Sequence, residues 1–126
     1  GLAFAEKFRS EGQLRGDRLA GDVEGSAVII VDDLISSGKT LARAAAVCRD
    51  RGARGAAAAV THGVFSAEAA SVLEGSALDR VVLLDTTGRA LPGSPSRFDV
   101  LDPSPLVAEA IRRLHDESSL SELADA

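Results

Sequence analysis

Three stretches of the chain are continuously apolar and short. Ala27 to Asp32 reads AVIIVD, Ala56 to Thr61 reads AAAAVT, and Val81 to Leu84 reads VVLL. Runs of this length, the first of them rich in β-branched residues, suit strands buried on both faces, as in a parallel sheet. Arg97 to Leu101 is a fourth candidate strand, and Leu2 to Phe8 reads as another at the front of the chain. Between the strands the period changes. Leu41, Ala44, Ala45 and Cys48 recur at helical spacing. A second helix is expected after Ser66, a good N-cap residue. A third is expected from Ser104-Pro105, a cap followed by proline at the first helical position. Val107, Ala110, Ile111 and Leu114 would form its buried stripe. Arg9 to Arg18 is polar with two glycines and reads as a mobile loop or a ribbon, and Glu117 to Ala126 as a solvated tail or a short helix. Strand alternating with helix predicts a single α/β domain over residues 1–126, its mainly parallel sheet flanked by helices. Ligands of such sheets bind beyond the carboxyl ends of the strands.

Composition narrows the partners. The chain has 126 residues, 45% of them apolar, and a net charge of −5. That charge, with no run of lysines or arginines, excludes a nucleic-acid or membrane-surface binder that relies on a basic face. No apolar run approaches the ~18 residues of a membrane span. One cysteine, Cys48, allows no internal disulfide and points to a reducing, cytoplasmic setting. There is no methionine, hence no initiator, and Gly1 to Ala5 reads as strand rather than as a natural start. The expectation is a piece of a longer protein.

The chemistry concentrates in Val28 to Thr40, VIIVDDLISSGKT. A strand ends in two carboxylates, Asp32 and Asp33. A small-residue loop, Ser36-Ser37-Gly38-Lys39-Thr40, then enters a helix. The first turn of a helix has unpaired N–H groups and a partial positive charge, so a glycine loop at that point makes a phosphate cradle. Ser37 and Thr40 add hydroxyl donors, and Lys39 adds a charge. The aspartates would repel a phosphate. They suit sugar hydroxyls or a magnesium ion. A phosphate site beside a diol site spells a ribose 5-phosphate. The plain alternative is a capped strand-to-helix turn, which leaves the two adjacent acids unexplained. An ordinary P-loop fails because its first glycine would fall on Asp33. A response-regulator receiver fails because no lysine follows Lys39.

VIIVDDLISSGKT resembles the ribose-phosphate signature of type I phosphoribosyltransferases and of the phosphoribosyl pyrophosphate (PRPP) synthases. Glu6-Lys7-Phe8-Arg9, Gly21-Asp22-Val23-Glu24-Gly25, Thr61-His62-Gly63-Val64-Phe65-Ser66, Leu78 to Thr86 and Pro105 to His115 are similar, in order, to segments of PRPP synthases. The resemblance covers nearly the whole chain. It implies a type I phosphoribosyltransferase-like fold and the C-terminal half of a two-domain, homo-oligomeric enzyme. That enzyme transfers the diphosphoryl group of ATP to the 1-hydroxyl of ribose 5-phosphate, with Mg2+ as cofactor. Ser36, Ser37, Gly38, Lys39 and Thr40 would hold the 5-phosphate. Asp32 and Asp33 would hold the ribose hydroxyls and help place the metal. Lys7 and Arg9 would act on the transferring phosphoryl groups. Two apart in a strand, they share a face; from the residues alone an exposed basic edge fits equally well. His62, at a strand's carboxyl end, reads equally as a phosphate or nucleotide contact and as a plain turn residue. Two residues depart from the pattern. Phe8 stands inside the basic stretch, and Lys39 stands where glycine is usual. A side chain at 39 could crowd the cradle or add a phosphate contact. The rival readings are a nucleobase phosphoribosyltransferase, which uses the same loop, and a catalytically silent regulatory relative.

Overall fold

A computed structural model describes residues 1–5, 8–10, 13–15 and 19–124. Three of its strands begin the chain as short ribbons: β1 (Phe4–Ala5), β2 (Phe8–Ser10) and β3 (Gln13–Arg15). β2 pairs antiparallel with β3, and β1 with β4 (Leu19–Ala20). Of the strand expected from Leu2 to Phe8, Phe4–Ala5 and Phe8 lie in different ribbons, and residues 6 and 7 fall outside the described residues. The described part of the polar segment after it, Arg9, Ser10 and Gln13–Arg15, lies in a ribbon.

The main sheet follows: β5 (Ala27–Ile35), then helix α1 (Lys39–Asp50), β6 (Gly55–Gly63), helix α2 (Ala69–Glu74), β7 (Arg80–Leu84) and β8 (Phe98–Leu101). The four strands are parallel, in the order β5-β6-β7-β8. The fold is thus α/β, as the alternation of patterns predicts. Strand order that follows chain order in one direction puts right-handed crossovers on a single face. Accordingly α1 and α2 lie together. Leu41 and Ala45 from α1 and Leu73 from α2 pack with Ile35, Ala56, Ala58, Val60, Val81 and Leu83 from the sheet. Ile35 and Leu41 are each 1% exposed, and burial of such a side chain stabilises by roughly 1.5–3 kcal/mol. Cys48 also belongs to the interior, beside Val23 and Ala53, and burial raises its thiol pKa.

The same topology corrects two expectations. β5 is not buried on both faces. It is an edge strand, and Ile29 and Val31 are 71% and 79% exposed because both helical crossovers cover the opposite face. A cavity of about 820 Å³ is lined by β5, by Gly1 to Phe4 and by Thr40, Ala44 and Cys48 of α1. The stripe on α3 (Ser104–His115) is not buried either. Val107, Ile111 and Leu114 are exposed, because no element among the described residues packs over them.

Helix ends depart from the sequence expectation by a few residues. α2 starts at Ala69, and Ser66 instead accepts the Ala69 N–H through its carbonyl at 3.0 Å. At the start of α3 the N-cap position is Pro103, and just before it Asp102 Oδ1 accepts the Ser104 N–H at 2.8 Å. The α2 carboxyl end is capped by Arg97, whose guanidinium donates to the carbonyls of Leu73 at 2.6 Å and of Leu78. A cation there also suits the helix dipole. The last helix, α4 (Ser121–Ala124), is tied to α3 through Arg113, which donates to Glu109 at 2.9 Å and to the Ser119 carbonyl at 2.9 Å.

Glu109 gives α3 a pH dependence. Its carboxylate accepts from Arg112 Nη2 at 2.8 Å and Nε at 2.9 Å, and from Arg113 Nε. These donors, Arg112 first and then Arg113, lower its pKa from 4.5 to about 2. Between those values the unfolded chain binds the extra proton, so stability rises with pH there. The contribution is complete above the unfolded value and lost as pH falls through about 2. Circular dichroism of the chain and of Glu109→Gln across this range should show the parent losing more helix than the variant; equal losses would count against the network.

Candidate functional site

β5 runs three residues beyond Asp32, to Ile35, and this extension builds the site. Ile35 turns its side chain into the core, while its carbonyl accepts two N–H groups, from Val64 at 2.9 Å and Phe65 at 3.2 Å. The Ser36 carbonyl accepts the Ser66 N–H at 3.1 Å. The loop leaving β5 and the loop leaving β6 are thereby laced together at the carboxyl end of the sheet, where a ligand site is expected. Phe65 has a positive φ of 37°, and its ring packs edge-on to Phe98 with centroids 5.9 Å apart. Gly63 makes room for that ring: a Cβ there would lie 2.6 Å from Phe65 Cε2.

Gly38 turns the first loop into α1. Its φ of 78° is left-handed, and a Cβ would lie 2.8 Å from Leu73 Cδ2. The residue thus needs glycine for both conformation and contact. After it, the first turn of α1 presents backbone N–H groups with no intrahelical acceptor. Of these, Lys39 N–H reaches Ser37 Oγ at 3.4 Å. Every residue from Asp32 to Leu41 except Lys39 lines one cavity of about 220 Å³. Asp32, Asp33, Ser36, Ser37, Gly38 and Thr40 are therefore brought together. Asp32 Oδ1 accepts the Asp33 N–H at 3.0 Å, and the Asp33 carboxylate is exposed. The carboxylates stand at the strand end and the N–H groups at the helix start. The two halves of the cavity thus differ in charge.

Lys39 is the exception. Its Nζ lies 2.7 Å from Glu68 Oε2, in an ion pair with the residue just before α2. It neither crowds the cavity nor lines it. His62 also lies outside the cavity. It stands opposite Leu34 in the β5–β6 register, with Nδ1 2.7 Å from Thr86 Oγ1. Lys7 falls outside the described residues. Arg9 is the middle residue of β2, opposite Leu14. Asp22 has a local role, accepting the Glu24 N–H at 3.0 Å. Sequence reasoning missed Glu68, Phe65 and Leu73 as parts of the site's frame. Only the positive-φ requirement at Gly38 had a local signal.

The phosphoribosyl synthetase-associated domain family matches residues 16–125. The chain is 44% identical over 126 residues to a ribose-phosphate pyrophosphokinase of Hyphomonas neptunium (strain ATCC 15444), covering 98% of this chain and 40% of that protein. It is 39% identical over 107 residues to ribose-phosphate pyrophosphokinase 5 of Schizosaccharomyces pombe, covering 85% and 31%. The crystal structure of phosphoribosylpyrophosphate synthetase from Mycobacterium smegmatis superposes with a TM-score of 0.73 at 32% identity, covering 92% of this chain and 37% of that one. The chain spans about two fifths or less of the length of these relatives.

The glycine at the turn is directly testable. Gly38→Ala should destabilise the fold by about 1–3 kcal/mol, from the left-handed backbone and the crowded Leu73 together. Urea denaturation measures this, and an unchanged midpoint would show that the turn relaxes freely.

Proposed function

The chain belongs to the phosphoribosyl synthetase-associated domain family, and from that premise we propose that it is the ribose-5-phosphate-binding, C-terminal half of a ribose-phosphate pyrophosphokinase. The observation that carries the reading is the cavity shared by the Asp32–Asp33 pair and the Ser36–Thr40 loop. The N–H groups at the start of α1 and the hydroxyls of Ser37 and Thr40 would take the 5-phosphate. Asp32 and Asp33 would accept from the ribose hydroxyls. The relatives' names, all ribose-phosphate pyrophosphokinases, favour this over a nucleobase phosphoribosyltransferase.

The proposed reaction transfers the β,γ-diphosphoryl group of ATP. The 1-hydroxyl oxygen of ribose 5-phosphate bonds to the β-phosphorus, the bridging oxygen leaves with AMP, and the hydroxyl proton is released. Asp32 and Asp33 suit a magnesium ion of the kind that takes one or two carboxylates and leaves its other positions to substrate and water. When bound, the ion neutralises charge on the phosphate oxygens. Lys7 and Arg9 would neutralise charge that develops on the transferring group.

The ATP site would come largely from the rest of the enzyme, in a homo-oligomer. The uncovered edge of β5, the exposed Ile29 and Val31, and the bare stripe of α3 support a chain that works against further protein surface. No helix among the described residues is long and apolar enough to cross a membrane. A cytoplasmic site of action is part of the proposal and rests on the reaction's soluble substrates.

Three outcomes test the reading. Calorimetric titration should show ribose 5-phosphate binding to this chain. Asp33→Asn should weaken it about tenfold or more, the worth of a hydrogen bond to a charged group, with an unchanged unfolding midpoint; equal affinities would return the acids to a structural role. The chain alone should produce no PRPP from ATP. In a full-length enzyme carrying this segment, Lys7→Ala or Arg9→Ala should lower kcat far more than it raises KM. A raised KM with kcat intact would make them binding residues.

A further inference from the structure

Lys39 is the only basic side chain within the loop that forms the cradle, and it is turned out of it. We propose that Glu68 sets the anion affinity of the cradle by holding the Lys39 ammonium outside; this rests on the phosphate reading of the loop. The contact is a 2.7 Å ion pair between Lys39 Nζ and Glu68 Oε2. The two residues are 29 apart in sequence, so the pairing is a product of the fold. Lys39 is the first residue of α1, and Glu68 immediately precedes α2.

Both backbones are fixed. The Ser36 carbonyl holds the Ser66 N–H at 3.1 Å, and the Glu68 carbonyl accepts the Val72 N–H at 3.1 Å. Gly38, one residue before Lys39, is seated on Leu73 of α2. The two backbones are therefore held within reach of each other, so that the side chains can pair.

The pair is also weak enough to exchange. The Lys39 and Glu68 side chains are 60% and 49% exposed, and pairs so well solvated contribute little to stability. A lysine has a flexible four-carbon stem and a compact charge, so Lys39 can reach either side of its own backbone by rotamer change alone. A phosphate in the cradle and the Glu68 carboxylate then compete for one ammonium. With Glu68 present, phosphate is held by N–H groups and hydroxyls, and the Lys39–Glu68 pair adds no net charge. Without the carboxylate, Lys39 is released to make a charge-assisted hydrogen bond to the anion. Glu68 is thus a positioning residue that acts through Lys39, tuning how tightly the sugar phosphate is held.

A double-mutant cycle separates this from a direct effect of the Glu68 charge. The parent, Glu68→Gln, Lys39→Gln and the double variant are titrated calorimetrically with ribose 5-phosphate and with inorganic phosphate, at low and at physiological salt. Glu68→Gln should tighten both ligands about threefold to tenfold at low salt, less at higher salt. In the Lys39→Gln background the same change should do less than about half of that on a logarithmic scale. No tightening in Glu68→Gln overturns the proposal. So does an equal gain in both backgrounds, which would mean simple repulsion between Glu68 and the ligand. Failure of all four forms to bind either ligand would overturn the cradle itself, and the proposal with it. Binding by the parent without a Glu68 effect would leave the cradle standing and remove only the control.

Discussion

Ile35 carries two incompatible-looking demands at one position, and the rest of the site follows from meeting both. Its side chain is 1% exposed, under the helices α1 and α2, while its carbonyl faces outward to two N–H groups from the loop after β6. A buried carbonyl without partners would cost about 1–3 kcal/mol; here it is doubly satisfied. The strand therefore ends with its backbone pinned to its neighbour's exit loop. Three residues later Gly38 reverses the chain against Leu73. Loop, helix start and second helix are thus fixed relative to each other by one carbonyl and one missing Cβ. The cavity between Asp32 and Leu41 is what remains in the bend.

Much of this was legible in the sequence because it is local physics. Continuous β-branched runs set the strands, and helical spacing of Leu41, Ala45 and Cys48 set α1. Right-handed crossovers then leave few ways to order the sheet. The failures have a common cause. AVIIVD and the α3 stripe were read as buried on the evidence of their apolar character, yet Ile29, Val31, Val107 and Ile111 are exposed. A hydrophobic pattern states that a face needs cover and does not state which surface provides it. In the proposed two-half enzyme that cover would lie outside this chain.

The candidate site divides along the same line. Asp32, Asp33 and the Ser36–Thr40 loop are contiguous, so their shared cavity could be anticipated from spacing and backbone chemistry. Lys39 could not be placed that way. Sequence offered two fates, crowding or contact, and the fold supplied a third through Glu68, a residue with no motif of its own. His62 shows the converse. Its place at a strand end was readable, but its ring is engaged by Thr86 Oγ1, on the loop after β7, which sequence spacing does not reveal.

Anion binding by an acidic chain constrains how the cradle can work. With a net charge of −5, and two carboxylates lining the cavity, the long-range field does not draw a sugar phosphate in. Beyond roughly 8–10 Å that field is screened at physiological salt, so recognition must come from the first layer of contacts. Backbone N–H groups and hydroxyls suit that task because they act at short range and carry no net charge to be neutralised elsewhere. A lysine added to such a site would change the balance sharply, since it would be the largest nearby charge favouring the ligand. Pairing it with Glu68 would offset that one charge without removing the lysine from the loop. A site that binds a phosphate too firmly through a fixed cation would also release it slowly. Of the two ways to moderate such a cation, deleting it or occupying it, the proposed role of Glu68 would be the second.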